Sequence, residues 1–434
     1  MPFHPDDHAL DLLYLATARR RYTSPMAAFH RLERLGNPPP YAPGRPLSEV
    51  EIAIEVFGYL AADHRYINHR SDSAFAYLIL QKSGSPVIAR WITFFFEDII
   101  LAQDLPSTFE GIQHRARVFA YVPYLLGSIR HMRPVMTLID FYPALLRLFV
   151  QGWCKAIDEY HPSWGTWARL INNMMRWANA TSQSILARMQ MQGLTSGGYT
   201  EGPALARILI RHLNHETTRV PDMSTESLLP LNNFLMSLAA GGYFRYGPFK
   251  EMEIRSDSIP ALVSLISALM KHPFTRNGPK DGVEFKLVHE IMYFTLSTLV
   301  SELTDELASA LAMLNAGIVV VLMKSPRAFL EGDSVKTNDI SCIHRIVEIL
   351  EFLSKFLIYP TVLHAFLVSV KKIERREGVE EAFREHAPSV WSRWEEVREK
   401  AFALRSYRRK LKRTPSFACT SASVSNLFSI TGFV

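Results

Sequence analysis

Cysteine is nearly absent from this sequence: Cys154, Cys342 and Cys419 are the only three in 434 residues, and they lie far apart. They build no disulfide framework, and none has a second cysteine at zinc-finger spacing. A structural metal is therefore not expected, and a reducing compartment, cytoplasmic or nuclear, is. Long apolar runs are missing as well. The most apolar of the long uncharged ones, Leu307 to Met323, contains Ser309 and Asn315 and falls short of the roughly 20 apolar residues of a spanning helix. It reads as a buried helix, and no membrane partner is expected. Met1 to Asp7 lacks the basic start and apolar core of a signal peptide. Nor is there a GxGxxG, a GxxxxGK[ST] phosphate loop, a GxSxG elbow or an HExxH pair. No catalytic constellation and no cofactor are expected.

Acidic and basic residues balance over most of the chain, and the net charge of +6 is confined to one end. Between Lys371 and Arg413 stand 14 Lys/Arg against 8 Asp/Glu, while the rest of the chain holds 34 of each. An electrostatic partner belongs at that end, not over the whole surface.

What the sequence has in quantity is helical periodicity. Hydrophobic residues make up 48% and charged residues 21%, a globular balance that excludes wholesale disorder. Phe285, Val288, Met292, Leu296, Leu299 and Leu303 recur at steps of three and four, one stripe of a helix. The same spacing predicts helices over 6–21, 48–62, 112–126, 166–192 and 340–357. No run alternates as a strand does. The expected fold is all-α.

Breakers divide the chain. The proline-rich run 37–46 reads as a stiff linker between N-terminal helices (1–36) and a helical-repeat body (47–377). A C-terminal helix with a basic end (378–413) follows, then a Ser/Thr-rich tail (414–434) expected to be disordered. Several helices are expected to open on a proline, which suits a first turn because its missing N–H has no partner there. These are Pro86, Pro143, Pro203, Pro260 and Pro360, with Ala316-Gly317 in the corresponding place of a further one. Near-equal intervals of 57 to 60 residues separate the first four prolines and Gly317. That recurrence predicts an armadillo/HEAT-like helical repeat solenoid, in which each unit buries its apolar face on its neighbours. Leu262, Val263, Leu265, Ile266 and Leu269 cover most of one helix and mark it as an inner one.

Few residue groups suggest chemistry. His4, Asp6, Asp7 and His8 fall within one turn, where the aspartates suit a helix N-terminus. Asp6-Asp7-His8-Ala9-Leu10-Asp11 also resembles the aspartate-rich magnesium motif of all-α terpene synthases, but no second metal motif accompanies it. His212, His215 and Glu216 share a helical face, expected to be solvated since a zinc site needs further ligands. Trp153, Trp164, Trp167 and Trp177 are expected between stacked helices. The glycine pairs Gly197-Gly198 and Gly241-Gly242 read as turns.

The sharpest local signal is the basic run Arg405, Arg408, Arg409, Lys410, Lys412 and Arg413. Such runs contact nucleic acid or acidic partners, or direct nuclear import. A stripe of Trp391, Trp394, Val397, Ala401 and Leu404 leads into it, so the run extends a docked helix.

Between about Leu350 and Cys419 stand 356–363 (Phe-Leu-Ile-Tyr-Pro-Thr-Val-Leu), Val370-Lys371-Lys372-Ile373 and Trp391-Ser392-Arg393-Trp394. In these features the segment resembles the helical region of fungal, mainly basidiomycete, proteins that carry a C-terminal MYND zinc finger. It implies an armadillo-like helical body. Cys419 is followed by no further Cys or His, so the finger itself is absent and its metal role passes to no residue here. The expected function is a non-enzymatic protein-interaction scaffold, with nucleic acid or acidic partners at 405–413 as the alternative.

Overall fold

The computed structural model describes residues 22–40, 48–66, 84–102, 109–127, 135, 138–139, 141–142, 144–159, 161, 164–168, 170–171, 174, 202–241, 252–277, 282–301, 307–324 and 342–413. The expected helix over 6–21, the cluster at His4 to His8, residues 175–192 of the helix expected over 166–192 (Trp177 among them), Cys419 and the tail from 414 lie outside them. Among the described residues every regular element is helical, so the fold is all-α. The chain divides into two compact units, Met1–Glu302 and Leu303–Val434. The division runs inside the stretch 47–377 and places 378–413 with the residues just before it.

The first unit contains α1 (Pro25–Leu35), α2 (Ser48–Tyr66), α3 (Gly84–Phe94), α4 (Phe109–Gly127), α5 (Ala144–Asp158), α6 (Gly202–Arg219), α7 (Thr225–Gly241), α8 (Met252–Leu269), the short α9 (Pro273–Asn277) and α10 (Val283–Ser301). Local chemistry sets the first helix. The Ser24 hydroxyl accepts a hydrogen bond from the Ala27 amide at 3.1 Å, Pro25 takes the first position, and Gly36 stops the helix at a φ of 72°. Packing then runs between helices close in sequence: α1 on α2, α2 on α4, α5 on α6, α6 on α8, and α10 on both α7 and α8.

A π-helical turn, Phe95–Ile100, continues α3, with the Leu101 amide bonded to the Phe96 carbonyl at 2.8 Å. It sends adjacent phenylalanines to different neighbours. Phe95 meets the edge of Phe57 in α2, with centroids 5.1 Å apart, while Phe96 meets Trp167 at 5.4 Å and Phe149 in α5 at 5.7 Å. Close approach there depends on a missing side chain. A Cβ on Gly152 would stand 2.5 Å from the Phe96 ring and 2.7 Å from Trp167. Likewise, a Cβ on Gly165 would stand 2.3 Å from Pro230 in α7. Trp167 also donates its indole N–H to the Phe119 carbonyl at 3.1 Å, tying the 164–168 segment to α4.

The proline pattern needs correction at one point. Pro260 does not open a helix; it lies inside α8, which begins at Met252. Its ring is exposed, and the helix carries on through it. Pro123 and Pro230 are also interior to helices. The even proline spacing is therefore not an even spacing of helix starts. The inner-helix expectation for α8 does hold: Leu262, Val263, Leu265, Ile266 and Leu269 are all buried.

The second unit contains α11 (Leu307–Asn315), α12 (Ile318–Leu322), α13 (Cys342–Phe356), α14 (Pro360–Glu374), α15 (Val379–His386) and α16 (Pro388–Arg413). The apolar stretch 307–323 is broken into α11 and α12 at Gly317, whose φ of 81° suits glycine alone. Among the described residues no helix is long and apolar enough to cross a membrane. Helices α11 and α12 pack on α14, and α16 lies against α13, α14 and α15.

Two substitutions test this packing. Leu262→Ala should cost about 2–5 kcal/mol of unfolding free energy, the range for a fully buried leucine. Gly165→Ala should also destabilise, by about 1–3 kcal/mol, because Pro230 backbone bars the new methyl group. Urea denaturation followed by tryptophan fluorescence measures both, and a loss below about half a kilocalorie at either site would contradict the contact.

Candidate functional site

The residues of the basic run sit on α16, and their setting follows from how that helix docks. Ala387 receives the chain from α15, its amide bonded to the Phe383 carbonyl at 2.8 Å, and Pro388 opens the helix. Val390, Trp391, Trp394, Val397 and Ala401 are buried. Trp394 lies 5.4 Å from the Phe366 ring of α14, and Trp391 lies 6.2 Å from Phe383 of α15. This is the stripe expected from the sequence, except that Leu404 is only half-buried. Beyond Ala401 no described side chain of α16 is buried, yet the helix continues to Arg413. At 1.5 Å per residue, about 18 Å of helix extends past the last fully buried residue.

Charge divides at the same place. In the docked part acids and bases are paired: Arg393 bonds Glu351 of α13 and reaches Glu396 at 2.6 Å, and Arg384 reaches Glu380 at 2.6 Å and Glu395 at 3.5 Å. Past Glu399 the helix has no acidic residue. Arg408, half-buried, donates to the Ile358 carbonyl in the turn between α13 and α14. That carbonyl follows the end of α13, the negative pole of its dipole, where a guanidinium is favourable. Arg405 is half-buried, while Arg409 and Lys410 are exposed. Among the described residues neither Arg405 nor Arg409 has a carboxylate partner. The helix backbone includes Lys412 and Arg413, whose side chains lie outside the description. Phe402 and Tyr407 stand among these cations at 39% and 61% exposure, high for aromatics on a packed helix.

The other sequence candidates are structural. His212 and Glu216 do not lie on a solvated face; both are buried. The edge of His212 meets Trp164 with centroids 4.5 Å apart and Phe234 at 5.2 Å, while Glu216 is held by His215 at 3.0 Å and Arg219 at 3.1 Å. Trp153, Trp164 and Trp167 are buried between helices. Cys154 and Cys342 are buried, and loss of solvation pushes both thiols up, Cys154 to about 12, so neither is a thiolate nucleophile. Among the described residues no cluster of His, Cys, Asp and Glu has the makings of a metal site.

Two polar clusters of the first unit have no sequence signal, because their members lie 44 to 66 residues apart. Arg115 grips Glu159 with two hydrogen bonds of 2.7 Å, donates to the Ile100 carbonyl at the end of the π turn and lies 4.9 Å over the Phe119 ring. His161 stacks on the same ring at 4.7 Å. Glu51 of α2 accepts from His114 and, at 2.9 Å, from Arg117, both on α4. The hydrogen bond from His114 is the largest influence on the Glu51 carboxyl and, with Arg117, holds it near 2 against the opposing cost of burial. These are clamps between helices.

Burial keeps His161 neutral down to about pH 4 and His212 down to about 3, against 6.5 when unfolded. The unfolded chain then binds more protons in this range, so the stability is full above about pH 6.5 and is lost as pH falls toward 4. Each histidine should withdraw on the order of 1–2 kcal/mol by pH 5. Hydrogen exchange in α5 and α6 should accelerate between pH 7 and 5, after correction for intrinsic rates, and less so in His161→Gln. Equal protection at both pH values would contradict the neutral burial.

No protein-family model, curated protein or solved structure matches this chain.

Proposed function

We propose that this chain is a non-enzymatic interaction protein: a scaffold of stacked helices, armadillo/HEAT-like in plan, that binds another protein. It presents the basic end of its C-terminal helix to a polyanionic partner. The reading places it in the cytoplasm or nucleus, without cofactor or membrane contact, as kin to the helical body of fungal MYND-type proteins. Packing between helices near in sequence, α5 on α6 on α8 on α10, supports the stack.

One observation carries the contact surface. The helix outruns its core at Ala401, and the residues beyond it include six cations and no anion. A cation run with carboxylates nearby would be neutralised within the protein, as Arg393 and Arg384 are. Here Arg405 and Arg409 have no carboxylate partner among the described residues, and their charge is left for a partner. Retention on immobilised heparin, a generic polyanion, tests the reading. The full chain should elute well above physiological salt, and Arg405→Gln/Arg409→Gln/Lys410→Gln should elute at distinctly lower salt with unchanged circular dichroism. Identical elution of the two proteins would overturn it.

A further inference from the structure

The projecting turns of α16 carry more than charge, and the placement of their aromatics selects among polyanions. Successive residues of an α-helix are rotated by about 100°, so Phe402 and Tyr407 stand roughly 140° apart around the axis and about 7.5 Å apart along it. Ser406 and Lys410 fall between them, and Arg409 lies beside Phe402. Phe402, Ser406, Tyr407, Arg409 and Lys410 are all exposed, whereas Leu404, Arg405 and Arg408 are half-buried and turn toward the core side. The open face is therefore bracketed by two aromatic rings with cations beside and between them.

We infer that this face binds single-stranded nucleic acid, its cations on the phosphates and Phe402 and Tyr407 stacking on unpaired bases. The inference rests on the reading of the helix end as a polyanion contact and names the partner class. Stacking on aromatic side chains is tolerant of sequence but needs bases whose faces are open, which a duplex does not offer. An acidic polypeptide would satisfy the arginines and leave both rings without a matching surface. A lipid surface needs the apolar residues gathered on one side of the helix, and here the two rings lie on opposite edges of the basic face.

Fluorescence anisotropy of the full chain with labelled oligothymidine tests this, beside a duplex and poly-glutamate of matched length, over about 50 to 200 mM salt. Oligothymidine should bind at least several-fold more tightly than either competitor. Its log affinity should fall with log salt by about 0.7 per phosphate contacted. Tyr407→Ala, at an exposed position, should weaken the single strand by about tenfold with its salt slope unchanged. Arg409→Gln should lower the slope by about 0.7. Equal affinity for poly-glutamate, tighter binding of the duplex, or no effect of Tyr407→Ala would overturn the inference and leave the polyanion reading standing. Failure of all three probes to bind would overturn both.

Discussion

The second unit is organised by a mismatch of length: α16 is longer than the core it packs on. Its apolar stripe, Val390 to Ala401, is the hydrophobic surface that α13, α14 and α15 cover. Helix propagation needs no further burial once a turn is formed, and residues 402–413 include good helix formers such as Leu, Arg and Lys. The helix therefore runs on as a rod whose surface is no longer chosen by the core. A guanidinium from Arg408 fastens that rod to the end of α13, while Arg405 and Arg409 meet no carboxylate among the described residues.

The first unit is built on different terms. Its interior is aromatic and needs close backbone approach, so Gly152 and Gly165 are as much a part of it as Phe96, Trp167 and Phe234. The polar groups drawn inside are held in clamps, Glu51 with His114 and Arg117, and Arg115 with Glu159. Each clamp joins residues 44 to 66 positions apart in the chain and resists acid because its carboxylate is held charged. Buried, paired groups of this kind serve packing. The exposed helix end of the other unit is where charge and aromatic surface are offered outward.

Helix identity was legible from the sequence because apolar spacing reports which face is buried. Leu262 and Leu265, and the stripe from Trp391 to Ala401, are buried as that spacing requires. The basic run was legible because unbalanced charge is a property of composition. Pro260 was misread, since a proline exposed on a helix surface costs the helix one hydrogen bond and need not mark a start. His212 was misread because the residues that cover it, Trp164 and Phe234, come from other segments, and local polarity carries no record of them. The ion-pair clamps and the π turn were illegible for the same reason: they are set by tertiary neighbours. The exposure of Phe402 and Tyr407 belongs with these, because only the end of the core at Ala401 reveals it.

Ending the chain after Ala401 separates the two roles assigned to α16. If the docked turns belong to the core and the later turns to a partner, the shortened chain should retain the unfolding transition of the second unit to within about 1 kcal/mol. It should also lose its affinity for polyanions. Unfolding of that unit upon truncation, or polyanion binding that survives it, would contradict the assignment.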